Sequence, residues 1–343
     1  MLNIRENESL SFYECCILVN GQNRAIILDL NRNEYVLINQ HVYYLFIQND
    51  NYVKASDIYS YSKLNDVSFD VILAELIESE FVFVKEVEEI KSFPKISRNL
   101  ETSEIIRLCE IIVSEYFKKN CDSILLDLAN LGCETVVLYF DHFVSFKELE
   151  EWLSHFSNLS IINIIVYIKY HKEIHLISAE DYLEFYTENN SLSLIVCHSC
   201  TTQVGDISFK NMPMVACITS SLDDTENFKV DSSMFVVSTS SVIESMSTNL
   251  YYNKRIGINR NGNICKSIFY NKASMGQFCQ DRVLALIQQE KFSELWNTSK
   301  DDIEYCNKCE FRYICVDPRI PVFEKSVYFE EPCGYNIFNF KGI

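Results

Sequence analysis

The first ninety residues alternate between short apolar runs and polar breaks. Residues 16–21 and 24–30 are rich in Val, Ile and Leu and flank an Asn20-Gly21 step, which predicts two strands around a turn; residues 34–38 predict a third. Apolar positions then recur at helical spacing over 40–47, 55–62 and 69–79, and Phe81–Val84 returns to a strand pattern. Three strands with three helices predict a winged-helix-like α+β unit over residues 1–95. Cys15 and Cys16 sit at the start of the first of these strands. Neighbouring residues of an extended chain point to opposite faces, so the pair is expected to share no metal.

A second pattern follows. Residues 103–130 read as one or two helices, stopped by Leu131-Gly132. Continuous apolar runs at 135–140, 160–167, 192–197, 214–219 and 234–238 alternate with helical stretches at 146–156 and 179–188. Buried strands separated by helices predict a parallel sheet covered on both faces. The fold class is therefore α/β, with a partial β/α barrel over residues 96–248 whose site would lie at the C-terminal mouth of the strands. Residues 249–343 are left as a cysteine-rich C-terminal domain.

Composition narrows the partners. The 343 residues carry 48 acidic against 30 basic side chains, a net charge of −18, which argues against a nucleic-acid backbone as ligand. Only 8 glycines occur, with no glycine-rich phosphate loop. No apolar run is long enough to span a membrane, and the acidic start, Met-Leu-Asn-Ile-Arg-Glu, lacks a signal-peptide pattern, so a cytoplasmic location is expected. In that compartment the 14 cysteines stay reduced, which favours metal ligation over disulfides for any clustered set.

One such set is present. Cys306, Cys309 and Cys315 follow a C-x2-C-x5-C spacing, with Cys333 after a loop. Four thiolates suit an iron–sulfur cluster or a tetrahedral zinc, and spacing does not separate the two. Cys197, His198 and Cys200 form a weaker alternative set. No nucleophile, histidine and acid can be grouped into a catalytic triad, and the 6 histidines are scattered.

The stretch Cys306, Cys309, Glu310-Phe-Arg-Tyr313, Cys315, Asp317–Arg319 and Cys333-Gly-Tyr335 resembles the SPASM domain of radical S-adenosylmethionine (SAM) peptide-modifying enzymes. The form it is most similar to is the SPASM-domain maturase of grasp-with-spasm systems. The resemblance extends to Asn20-Gly21 through Leu30, Leu131–Cys133, and Asn253–Ile256 with Asn261–Ile264. It implies one 4Fe-4S cluster held by Cys306, Cys309, Cys315 and Cys333. It also implies two partners: the leader segment of a precursor peptide, gripped by the N-terminal unit, and an ATP-grasp ligase.

The sequence departs from that pattern in two places. The C-x3-C-x2-C loop that binds SAM in such enzymes should follow the first barrel strand, taken as residues 135–140, and residues 141–145 hold no cysteine. Cys265 and Cys279 do not fall where a second auxiliary cluster would need them. The chain therefore reads as an accessory maturation protein without a recognisable SAM site. The alternatives are an active radical SAM enzyme with a degenerate loop and a zinc-stabilised interaction protein.

Overall fold

The structure is a computed structural model that describes residues 4, 5, 7–49, 51–98, 100, 102–201, 205–209, 212–221, 230, 232–268, 275–330 and 333–338. The chain divides into two compact units, each assembled from separate stretches. Residues 1–101, 229–251 and 297–343 form the first, and residues 102–228 and 252–296 the second. The N-terminal segment and the cysteine-rich C-terminal stretch thus belong to one unit.

The first unit begins with β1 (Glu8–Phe12), β2 (Cys16–Asn20), β3 (Ala25–Asp29), β4 (Glu34–Ile38), α1 (Gln40–Ile47), β5 (Tyr52–Lys54), α2 (Ala55–Asn65), α3 (Asp70–Glu78), β6 (Val82–Glu86) and α4 (Val87–Ser92). These strands form two antiparallel sheets, β2-β3-β4 and β5-β1-β6. The Phe81–Val84 pattern thus lies in a different sheet from the three strands before it, an edge strand beside β1 with β5 on the far side, and the apolar pattern revealed neither β1 nor β5. β1 escaped because its alternate positions are serines: Ser9 and Ser11 are both buried, and the Ser11 hydroxyl donates to the Asn51 carbonyl at 3.2 Å. β5 is three residues long, too short for a period to register.

β3 explains its own composition. All five of its residues are buried. Ala25 and Ile27 face a core shared with Leu10, Val42, Leu45, Phe46 and Leu73, which brings α1 and α3 onto the sheet. Ile26 and Leu28 face the opposite way, into a second core with Val242, Phe311 and Ile314. A strand covered on both faces has no need of polar alternation, hence the run Ala-Ile-Ile-Leu. Its second cover is the cysteine stretch itself.

The second unit contains β7 (Leu108–Ile112), α5 (Glu115–Asn130), β8 (Thr135–Tyr139), α6 (Phe146–Ser154), β9 (Asn163–Lys169), α7 (Ala179–Glu188), β10 (Leu192–His198), β11 (Ile207–Phe209), β12 (Met212–Cys217), β13 (Arg255–Ile258) and β14 (Ile264–Cys265). They build an eight-stranded sheet in the order β11-β12-β10-β9-β8-β7-β13-β14. The six inner strands are parallel, and β11 and β14 add antiparallel edges. The mixed α/β class with a largely parallel sheet is as the sequence predicts.

Two strand assignments change. Residues 103–130 are not helical throughout: β7 precedes α5 and is the first strand of the parallel series. Its sequence Leu-Cys-Glu-Ile-Ile hid it, because a charge stands mid-strand. Glu110 is buried and neutralised there by Arg255 at 3.1 Å, with Ser267 and the Ile268 amide as further donors. Residues 234–238 are not a sheet strand. They belong to the first unit, where Phe235 makes an isolated antiparallel bridge with Cys315. Across one face of the sheet the α5 side chain Phe117 stacks on Trp152 of α6, with ring centroids 5.6 Å apart. On the other, Val137 and Tyr139 pack with Cys265 and Ile268. No helix among the described residues is long and apolar enough to cross a membrane.

Candidate metal centre

The C-terminal stretch is nearly devoid of regular structure, and short turns aim its cysteines. Tyr305 takes a left-handed φ of 66°, and Cys306–Lys308 then forms a single 3-10 turn. The Cys309 amide donates to the Cys306 carbonyl at 2.9 Å, closing the C-x2-C knuckle. A second turn, in which the amides of Ile314 and Cys315 both donate to the Phe311 carbonyl at 3.0 Å, swings Cys315 back. Hydrogen bonds from Val236 to Ile314 (2.8 Å) and from Val316 to Met234 (3.0 Å) pin it. Cys333 arrives after a small hairpin of Val322–Phe323 and Val327–Tyr328.

The four thiols sit in one electrostatic neighbourhood. Cys306 feels Cys333; Cys315 feels Cys333 and Cys306; Cys309 feels Cys315 and Cys306. Burial pushes the Cys315 thiol up to about 12, Lys300 opposing and Asp317, Cys333 and Cys306 adding. Burial likewise pushes Cys306 up, although Lys300 and Arg319 work against it. Such thiols stay protonated until a cation replaces their protons.

The surroundings supply positive charge. Lys300 is buried against Asp317 at 2.9 Å, and Arg319 pairs with the same carboxylate at 2.7 Å. Burial alone would lower the Lys300 ammonium, but Asp317 and the thiols of Cys315 and Cys306 outweigh it and hold it above its usual value. Lys300 was invisible in the sequence, where Ser299-Lys-Asp-Asp reads as a solvated run. Arg319 pairs with Asp317 while remaining in the field of Cys306 and Cys333.

The donor set and its spacing can be tested against a metal. A tetrahedral zinc with bonds of about 2.3 Å holds its sulfurs about 3.8 Å apart. The sets of three ligand atoms that converge within 4.8 Å among the described residues are Cys15/Cys16/Asp29 and Cys121/Asp122/His155, and the C-terminal four are not among them. Four half-buried thiols with Lys300 and Arg319 in their field are a donor set that fits a thiolate-bound centre, an iron–sulfur cluster or a zinc.

A clamp unforeseen from sequence holds this lobe to β2–β4. Glu310, between Cys309 and Phe311, is buried with its carboxylate on the Arg24 guanidinium and the Tyr335 hydroxyl. Arg24 also donates to the Tyr335 oxygen at 2.7 Å. Gly21 leaves room for Glu310, since a Cβ at position 21 would lie 2.9 Å from the Glu310 Cβ. Phe311 fills the second core between Phe235 (4.7 Å), Tyr335 (5.3 Å) and Tyr35 (5.4 Å), with Cys309 packed against the same core. Arg312 pairs with Asp301 at 2.7 Å and donates to the Asn20 carbonyl at 2.5 Å.

The alternative set of Cys197, His198 and Cys200 does not assemble. His198 Nε2 lies 3.1 Å from the Phe140 carbonyl and Nδ1 3.0 Å from Ser199 Oγ, so both ring nitrogens are engaged. Cys197 instead stands in register with Cys217 on β12. Cys265 is buried in β14, and Cys279 is exposed at the start of the helix Gln280–Ile287. Both lie in the second unit, not with the C-terminal four. With β7 now first in the parallel series, the position of a SAM-cluster loop moves to residues 113–114, which are Val and Ser and lead directly into α5. Neither position carries a cysteine.

No family model matches the sequence, and no curated protein matches it. Among solved structures, the chain is similar to the crystal structure of Streptococcus suis SuiB bound to S-adenosylmethionine, at 9% identity and a TM-score of 0.36, covering 89% of this chain and 94% of that one. A second crystal structure of Streptococcus suis SuiB is similar at 11% identity and a TM-score of 0.33, with the same coverage of both chains.

Proposed function

We propose that this chain is a SPASM-type maturation protein for a ribosomally made peptide. In this reading Cys306, Cys309, Cys315 and Cys333 hold one 4Fe-4S cluster. The observation that supports it is the mutual electrostatic influence of these four half-buried thiols, in a lobe whose Phe311 and Ile314 pack into one core with Ile26 and Leu28. The cluster, when bound, supplies a stable cross-link between turns that have little other structure, and an electron-transfer centre. The chain's own residues do the rest: Lys300 and Arg319 offset thiolate charge, while Glu310 and Phe311 fasten the lobe to β2–β4.

Peptide binding would use the N-terminal part. Among the described residues β6 pairs with β1 alone, which leaves its other edge able to accept an added strand. A cleft lined by Phe12, Tyr13, Phe83, Ile90, Phe93 and Pro94 adjoins it, apolar enough to take side chains of an extended leader segment. An ATP-grasp ligase acting on the same peptide is the second partner. The lack of a C-x3-C-x2-C loop after β7 or β8 favours a presenting role over SAM-dependent catalysis.

The test is anaerobic purification with iron, sulfide and zinc analysis, followed by binding of the precursor peptide and the ligase. About four irons and four sulfides per chain are expected, with micromolar binding of at least one partner. About one zinc and no iron would replace the cluster with a structural zinc. Failure to bind either partner would remove the maturation role.

A further inference from the structure

A different set of ligands converges at the base of the N-terminal cleft. The sulfurs of Cys15 and Cys16 and a carboxylate oxygen of Asp29 all lie within 4.8 Å of one another. Adjacent cysteines diverge only where the chain is extended, and here it is not. Residues 13–16 form a turn closed by the Cys16 amide on the Tyr13 carbonyl at 2.8 Å, and β2 starts only at Cys16. Asp29 stands directly opposite Cys16 in the antiparallel register of β2 and β3, which brings its carboxylate to the same side. The two cysteine side chains, expected to point to opposite faces of an extended strand, instead converge at that turn.

Three further features complete a site. Asp29 is 3% exposed and is held in place by the amides of Asn31 (2.9 Å) and Arg32 (3.0 Å) on one oxygen. Cys15 is half-buried and lines a cleft of 340 Å³ together with Glu14 and Asn31, so the site is reachable from solvent on the Cys15 side. A cation also stands beside the set, shared with Glu34 and Glu80. Two thiolates, a carboxylate and a divalent ion leave one negative charge, and the Arg32 guanidinium lies 3.5 Å from Asp29.

We propose that Cys15, Cys16 and Asp29 bind a zinc-class divalent cation, with its fourth coordination position open to the cleft. Thiolate donors select such an ion over magnesium or calcium, which take oxygen ligands. Three protein ligands leave a place for water or for a carbonyl or carboxylate of whatever occupies the cleft. Binding releases the thiol protons to solvent and changes no oxidation state.

The experiment is peptide-resolved alkylation of the full-length chain, kept anaerobic with a phosphine reductant so that no disulfide forms. Zinc is titrated in, iodoacetamide is pulsed, and the Cys15 and Cys16 adducts are read by mass spectrometry separately from those of Cys306, Cys309, Cys315 and Cys333. Cys15 labelling should fall about tenfold once zinc is bound, because a coordinated thiolate is no longer a free nucleophile. Magnesium should leave labelling unchanged, and Asp29→Asn should abolish most of the zinc protection. Cys15 labelling that zinc does not change in the wild-type chain overturns the proposal, as does protection that a folded Asp29→Asn variant retains in full. Should Asp29→Asn fail to fold, the wild-type zinc and magnesium titrations decide alone.

Discussion

Arg24→Met should loosen the strand at the centre of the first unit far more than removal of one surface charge would. The Arg24 side chain is 20% exposed and that of Glu310 2%, so the substitution leaves a desolvated carboxylate facing only the Tyr335 hydroxyl. Orphaning one partner of a buried pair costs about 3–5 kcal/mol. The loss falls on the seam between the cysteine lobe and β2–β4, whose second core contains Ile26 and Leu28. Amide hydrogen exchange of Ala25–Asp29 reads it directly, since opening of that seam exposes the strand. At about 1.4 kcal/mol per decade the expected acceleration is about 10²- to several 10³-fold. The double variant Arg24→Met/Glu310→Met should recover most of the loss, because a buried pair replaced by apolar groups of similar size is often neutral. Exchange at β3 within about threefold of wild type in Arg24→Met would refute the reasoning. So would a double variant as damaged as the single one.

Other outcomes follow from the same geometry. Cys309→Ser should reduce bound iron after reconstitution from about four per chain to a small residue, while Cys197→Ser should leave iron unchanged. Lys300→Met should cost about 1–3 kcal/mol in urea unfolding near neutral pH, because Arg319 still serves Asp317. Although burial opposes it, Asp317 is held below its usual value by Lys300 and Arg319, so its contribution is present above about pH 4 and fades as pH falls through its lowered folded value. Lys300, raised by Asp317 and the thiols despite burial, contributes below about pH 10 and fades only as pH rises through its raised value. The pair should therefore give a flat profile between those limits, and the Lys300→Met penalty should shrink below about pH 4. Gly262→Ala should lower the melting temperature of the second unit, at about 2–5 kcal/mol, since φ is +75° and a Cβ there would overlap the Tyr116 ring.

Much of the architecture was written in local pattern. The helices Gln40–Ile47 and Ala179–Glu188 carry their own spacing, and Ser178 and Asn39 cap them with their side chains. The runs at 135–139 and 192–198, short, rich in Val, Ile and Leu and bounded by polar breaks, suit buried strands of a parallel sheet. The C-x2-C-x5-C spacing likewise singles out three thiols by its turns alone. What the sequence could not show were features whose partners lie far along the chain. β7 is a strand because Arg255, 145 residues away, neutralises Glu110. β1 hides behind two buried serines, and the partner of Ser11 comes from another segment. Lys300 is buried because Asp317 and the thiols receive its charge, and Glu310 because Arg24, 286 residues earlier, meets it. Cys15 and Cys16 converge on Asp29 through a turn and a strand register that periodicity does not encode. Local spacing determined which elements form. Long-range desolvation and charge pairing, which exist only once the chain is folded, decided which polar groups went inside and which ligands meet.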